Sequence, residues 1–178
     1  MPSRYISRDG EILADRFTDG PYIFQNVHTL GGAARHTAAH TALLRAAAKS
    51  LFGFDPEITA DELRRRIARL TEACRMPSRV SVRAVVRLYP TGSIEIACDE
   101  PSIYAGYVLR SLRPDAICLR MAPPLPSLPT SAAEHTRLLA DTMAHTRGAR
   151  TAILTDSDGT VRHISFSTSA VKSTVFLP

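Results

Sequence analysis

The chain has 178 residues and a mass of 19.4 kDa, with 44% hydrophobic and 22% charged residues, the balance of a globular protein. Twenty-two Lys+Arg against 17 Asp+Glu give a net charge of +5, and only Lys49 and Lys172 are lysines. This excludes a disordered, collagen-like or coiled-coil chain, and the length suffices to bury a core without a disulfide or metal staple.

Asp9-Gly10 marks a hairpin between residues 4–8 and 11–14. Asp19-Gly20-Pro21 is a turn ahead of a short strand at Tyr22-Ile23-Phe24, and Gly31-Gly32 breaks the chain. A helix is expected from about Ala34 to Phe52, with Ala38, Ala42 and Ala46 on its apolar stripe and Leu43, Leu44, Ala47 and Leu51 widening it. Gly53 ends it. Thr59 and Glu62 have the spacing of a capping box for a second helix, whose stripe is Leu63, Ile67 and Leu70. Residues 80–89 and 93–98 read as strands around the turn Pro90-Thr91-Gly92, followed by strands at 103–112 and 116–120.

Residues 122–129 hold four prolines in eight positions, a stiff extended segment read as a linker. After it come a helix over 131–147 with Leu138, Leu139 and Met143 as its core side, a strand at 151–155, a turn at Asp158-Gly159 and a returning strand at 161–166. The expected architecture is α+β: a small lobe over 1–121, the linker 122–129, and a second lobe over 130–178.

Cys74, Cys98 and Cys118 form no CxxC pair, which points to reduced thiols. Residues 1–20 are rich in charge and lack the apolar run of a signal peptide, and no segment reaches the ~18 apolar residues of a membrane span. The cytoplasm is the expected location, with no membrane partner. His36 and His40 share a helix face but lack an acid and a third ligand, so no metal is expected. Asp156, Asp158 and Gly159 are a hairpin turn, because no glutamate closes a calcium loop. The serines of 165–169 sit in no nucleophile elbow. Arg64, Arg65, Arg66 and Arg69 read as a solvated helix face, so nucleic acid is not expected as a partner.

The order of segments resembles the class IV aminotransferases, the fold-type IV pyridoxal-phosphate (PLP) family that includes branched-chain aminotransferases and aminodeoxychorismate lyase. Tyr5 to Ile12 is similar to the family's opening hairpin, and Phe24-Gln25-Asn26-Val27-His28 to its F-E-T-x-R strand. His40 matches the histidine of H-x-x-R-L, and Arg83 lies on the counterpart of an arginine-containing strand. Leu138-Leu139-Ala140 through Val161 resembles the family's helix and its G-a-d-e-a-l-l-l-d-x-d-G-x-v run.

The resemblance implies a class IV aminotransferase-like fold, a small α/β lobe followed by a truncated second lobe, a homodimer, and a cleft near Tyr22, His40, Leu43, Arg83, Thr130 and His163. It also implies where this sequence departs. The Schiff-base lysine falls at Thr130, the phosphate-holding arginine at Leu43, and the glutamate facing the pyridine nitrogen near His163. Threonine forms no imine and leucine offers a phosphate no charge. Arg83 is the expected contact for a carboxylate. The expectation is a protein of this fold that has lost PLP transamination, carries no cofactor and keeps a cleft for a small anionic or amino-acid-like ligand. The alternatives are an active PLP-dependent aminotransferase or lyase using Lys49 or Lys172, a cofactor-free enzyme using His40 and His163, and a nucleic-acid-binding module.

Overall fold

A computed structural model describes residues 5–77, 79, 81–98, 115–122, 125 and 128–166, with backbone only for 163–166. The strand expected at 103–112 and Lys172 lie outside the described residues. The chain divides into two compact units, Met1–Gly106 and Tyr107–Pro178. This division precedes the proline-rich segment read as the linker. The strand at 116–120, grouped by sequence with the first lobe, pairs with the second unit's strands.

The first unit is an antiparallel sheet of order β2-β1-β6-β5-β3-β4. Its strands are β1 (Ile6–Arg8), β2 (Glu11–Leu13), β3 (Ile23–Leu30), β4 (Ala33–Ala34), β5 (Ser81–Leu88) and β6 (Ile94–Cys98). The β1–β2 turn has Asp9 at φ 48° and Gly10 at φ 94°, the positive pair that a two-residue hairpin of this hand requires. Asp9 then clasps the next hairpin, accepting from Ser93 Oγ and Ile94 N at 2.7 Å each. The strand expected at 22–24 runs on to Leu30, since Ile23, Val27 and Thr29 alternate inward. Gly32 has φ 77°, and a Cβ there would meet Thr71 Oγ1 at 3.0 Å, so only glycine fits this approach.

Two helices, α1 (Thr37–Leu51) and α2 (Ala60–Ala73), cover one face of this sheet. On α2 the capping box forms: Thr59 Oγ1 accepts from Glu62 N at 3.1 Å. Leu63, Ile67 and Leu70 are fully buried, as their spacing requires. Its arginines pair on the helix surface, Arg64 with Asp61 and both Arg65 and Arg66 with Glu62. On α1 the expected stripe is corrected. Thr37, Thr41, Leu44, Ala47 and Ala48 are buried, while Ala38, Ala42, Ala46 and Leu43 are exposed. Small side chains at i+4 fit either face, and the helix is seated by its large residue, Leu44.

The second unit has β7 (Ala116–Arg120) parallel to β8 (Thr151–Thr155), which is antiparallel to β9 (Val161–Phe166). Helix α3 (Ser131–Thr146) connects the parallel pair, as a crossover must. Its core side is also corrected. Leu138 and Leu139 are 57% and 54% exposed, and Ala133, Ala140 and Ala144 pack inward with Leu119, Ala152 and Leu154. Met143 is partly buried against this cluster.

Candidate functional site

Strand alternation sorts the first sheet into two faces. Ile23, Val27, Val82, Ala84, Val86, Leu88 and Ile96 form the core under the helices. The opposite face carries Tyr22, Phe24, Asn26 and His28 of the β3 segment, and Arg83, Arg87 and Tyr89 of the β5 segment. Arg8, Glu95, Arg87 and Phe24 stand in one row across four strands, because the registers pair them in turn.

Glu95 is the centre of this row. It is 1% exposed, yet it is a carboxylate. It accepts from Arg8 Nε at 2.5 Å, Thr18 N at 2.8 Å, Thr18 Oγ1 at 2.5 Å and Tyr89 Oη at 3.0 Å. Burial opposes its charge, but the donors of Thr18, Arg8 and Tyr89 prevail and hold its carboxyl below the ordinary glutamate value. Burial and the neighbouring Glu95 push Tyr89 up to about 12, so it remains a donor. The Arg87 guanidinium lies 4.0 Å from the ring centres of both Phe17 and Tyr22. Tyr22 meets Phe24 and Tyr89 edge-on, at 6.4 and 5.9 Å between ring centres.

Farther along this face the polar side chains are exposed. Asn26, His28 and Arg83 are solvent-accessible, with His28 directly opposite Arg83 in register. The His28 ring also hydrogen-bonds Ser81 Oγ. This end of the face therefore presents a guanidinium, an imidazole and an amide to solvent.

The residues singled out by sequence in the first unit lie on both faces of its sheet. Tyr22 and Arg83 share the face away from the helices. Tyr22 is buried in the aromatic cluster. His40 lies on the helix side, half-buried, with Nδ1 2.9 Å from Gln25 Oε1. Burial, and then the nearby His36, lower its pKa and favour the neutral ring. Leu43 is 56% exposed on the outer side of α1.

In the second unit Thr130 is buried and caps α3, its Oγ1 accepting from Ala133 N at 3.3 Å. The backbone of His163 pairs with Leu154 on β8, and its side chain is outside the described residues. Arg137 lies in register with the buried alanines of α3, with its Nε sequestered from solvent and without a hydrogen-bond partner; burial lowers its pKa.

Sequence reading missed Phe17, Thr18, Arg87, Tyr89 and Glu95. The available signal was the parity of Arg87 and Glu95 on strands paired across a hairpin, which puts opposite charges side by side.

An open groove of about 660 Å³ lies between Asp9, the 54–58 connection, Gly92 and the first turns of α2. Of its carboxylates, Asp9, Asp55 and Glu62 accept hydrogen bonds from the protein itself, and Glu57 is exposed. Among the described residues no group of three or more His, Cys, Asp or Glu is placed to hold a metal ion, and no helix is long and apolar enough to cross a membrane.

No protein-family model matches the chain, and no curated protein matches it in sequence. Solved structures do match its fold. A branched-chain aminotransferase from Thermoproteus uzoniensis, with norvaline, aligns with a TM-score of 0.65 at 20% identity, over 90% of this chain and 62% of its own. The Escherichia coli branched-chain amino acid aminotransferase gives 0.67 at 16%, over 90% and 62%. A Brucella abortus aminotransferase bound to PLP gives 0.66 at 13%, over 90% and 65%. The chain has the fold of the class IV aminotransferases, as the order of its segments led us to expect. It spans about 62% of the length of the first of these relatives.

Proposed function

We propose that this protein uses the class IV aminotransferase fold without PLP transamination, and binds a small anionic or amino-acid-like ligand through the first unit. The observation that carries the first half is Thr130. It stands at the position that the resemblance assigns to the Schiff-base lysine, and its hydroxyl is occupied in capping α3. A hydroxyl cannot condense with an aldehyde to an imine. Leu43, at the position assigned to the phosphate-holding arginine, is apolar and exposed. Lys49 is exposed in the last turn of α1. These residues do not fit a covalently held PLP, and no step is derived through one.

The second half is supported by the exposed end of the sheet face, where Arg83 and His28 stand opposite each other beside Asn26. A guanidinium and an imidazole with an amide neighbour suit a carboxylate. Arg83 is the proposed anion contact. A homodimer and a cytoplasmic location belong to the same proposal.

The test is an absorption spectrum with added PLP, followed by borohydride. No reducible aldimine is expected at any specific lysine. A reducible band that disappears in a Lys49→Ala or Lys172→Ala variant would overturn the reading. Titration of glutamate or a keto acid against the protein and its Arg83→Ala variant tests the ligand face, with binding lost in the variant.

A further inference from the structure

Residues 14–21 join β2 to β3 and belong to no helix or strand. They nevertheless cross the sheet face, because Phe17 reaches Arg87 on β5 and Thr18 reaches Glu95 on β6. Their polar ties include those to Glu95, Tyr89 and Arg8. Glu95 takes both Thr18 N and Thr18 Oγ1. Tyr89 Oη lies 2.9 Å from Thr18 O and 3.0 Å from Glu95 Oε2, so its one proton is shared between the two acceptors. Arg8 donates to Arg16 O at 3.3 Å and pairs with Asp15 at 3.0 Å. Arg8 and Tyr89 are themselves bonded to Glu95, so one buried carboxylate ties together the Arg8, Thr18 and Tyr89 groups that help hold the segment.

We propose that residues 14–21 are a strap latched by Glu95, and that releasing the latch uncovers Arg87 and the Tyr22–Phe24–Tyr89 cluster. The Arg87 guanidinium is in contact with the rings of both Phe17, in the strap, and Tyr22, at the start of the β3 segment. Lifting the strap removes Phe17 and leaves Arg87 on the same side of β5 as Arg83, four residues along. The unlatched face then presents two guanidiniums about 13 Å apart beside an aromatic floor. Gly20, at φ 133° with open space where a Cβ would sit, gives the strap a hinge just before Pro21. What the strap guards rests on the ligand reading above, but the latch itself does not.

The latch is therefore tested without ligand. The Arg16–Phe17 bond lies within the strap and is a trypsin site. The Arg147–Gly148 bond, in the turn after α3 in the other unit, serves as the internal reference. In native-state proteolysis read by mass spectrometry, Glu95→Gln is expected to raise cleavage at Arg16 relative to Arg147 by about tenfold or more. Thr18→Val removes one donor at an exposed position and is expected to give a smaller increase. It serves if Glu95→Gln fails to fold. Equal relative cleavage at Arg16 in the wild type and in the folded variants would overturn the latch. A failed glutamate titration with faster Arg16 cleavage would sink the ligand reading and leave the latch standing.

Discussion

Glu95 is held ionised inside the protein by donors, and this ties the first unit to pH. Its folded pKa lies below the unfolded value of about 4.3. Its contribution is therefore fully present above that value and is lost as pH falls through the folded pKa. We predict that the urea midpoints of the wild type and Glu95→Gln differ most above pH ~5 and draw together as the pH falls below the ordinary glutamate range. Denaturation curves over that range check it, and a gap that widens on acidification contradicts the assignment. At the residue scale sequence reading had mixed reach. It placed Tyr22 and Arg83 on strands but could not know that the first would be buried and the second exposed. Thr18 and Glu95 are separated by 77 positions, and nothing local to either announces the contact.

Helices show which patterns carry information. Leu63, Ile67 and Leu70 were legible on α2 because charge on the other positions left one apolar side. Alanine and leucine occur all around α1 and α3, so periodicity alone did not choose a face there. On α3 the seam is made of alanines because the helix lies close to β8, and bulk is excluded. Ala140→Leu should therefore destabilise the second unit by about 1–3 kcal/mol. Leu138→Glu, at a site 57% exposed, should stay within about 0.5 kcal/mol of the wild type. The reverse order in thermal or chemical unfolding would restore the leucines as the core side. On α2, Thr59→Ala should cost about 1 kcal/mol through the lost cap, and Thr59→Gly only a few tenths.

For the whole molecule, fold class and segment order were legible, since hairpin turns, a capping box and the α3 stop signal each depend on neighbours in sequence. The pairing of β7 with the second sheet was not, because a parallel pair depends on a partner a helix away. The charge of +5 likewise acquires a different weight once Arg64, Arg65 and Arg66 are seen paired with Asp61 and Glu62. Fluorescence anisotropy with duplex DNA at 150 mM salt should show no binding tighter than about 1 µM. Submicromolar binding with a steep salt dependence would revive the nucleic-acid alternative.

The first sheet also imposes a schedule. Ile6 pairs with Ala97, so the opening hairpin has no sheet to join until nearly the whole first unit has been synthesised. During translation β1 waits with an unpaired edge while β3, both helices and β5 emerge. Closing so distant a pair is slow compared with forming the β5–β6 hairpin. A nascent chain arrested before β6 would expose that edge to other chains, so the hazard of misassembly is concentrated in the interval before β6 emerges.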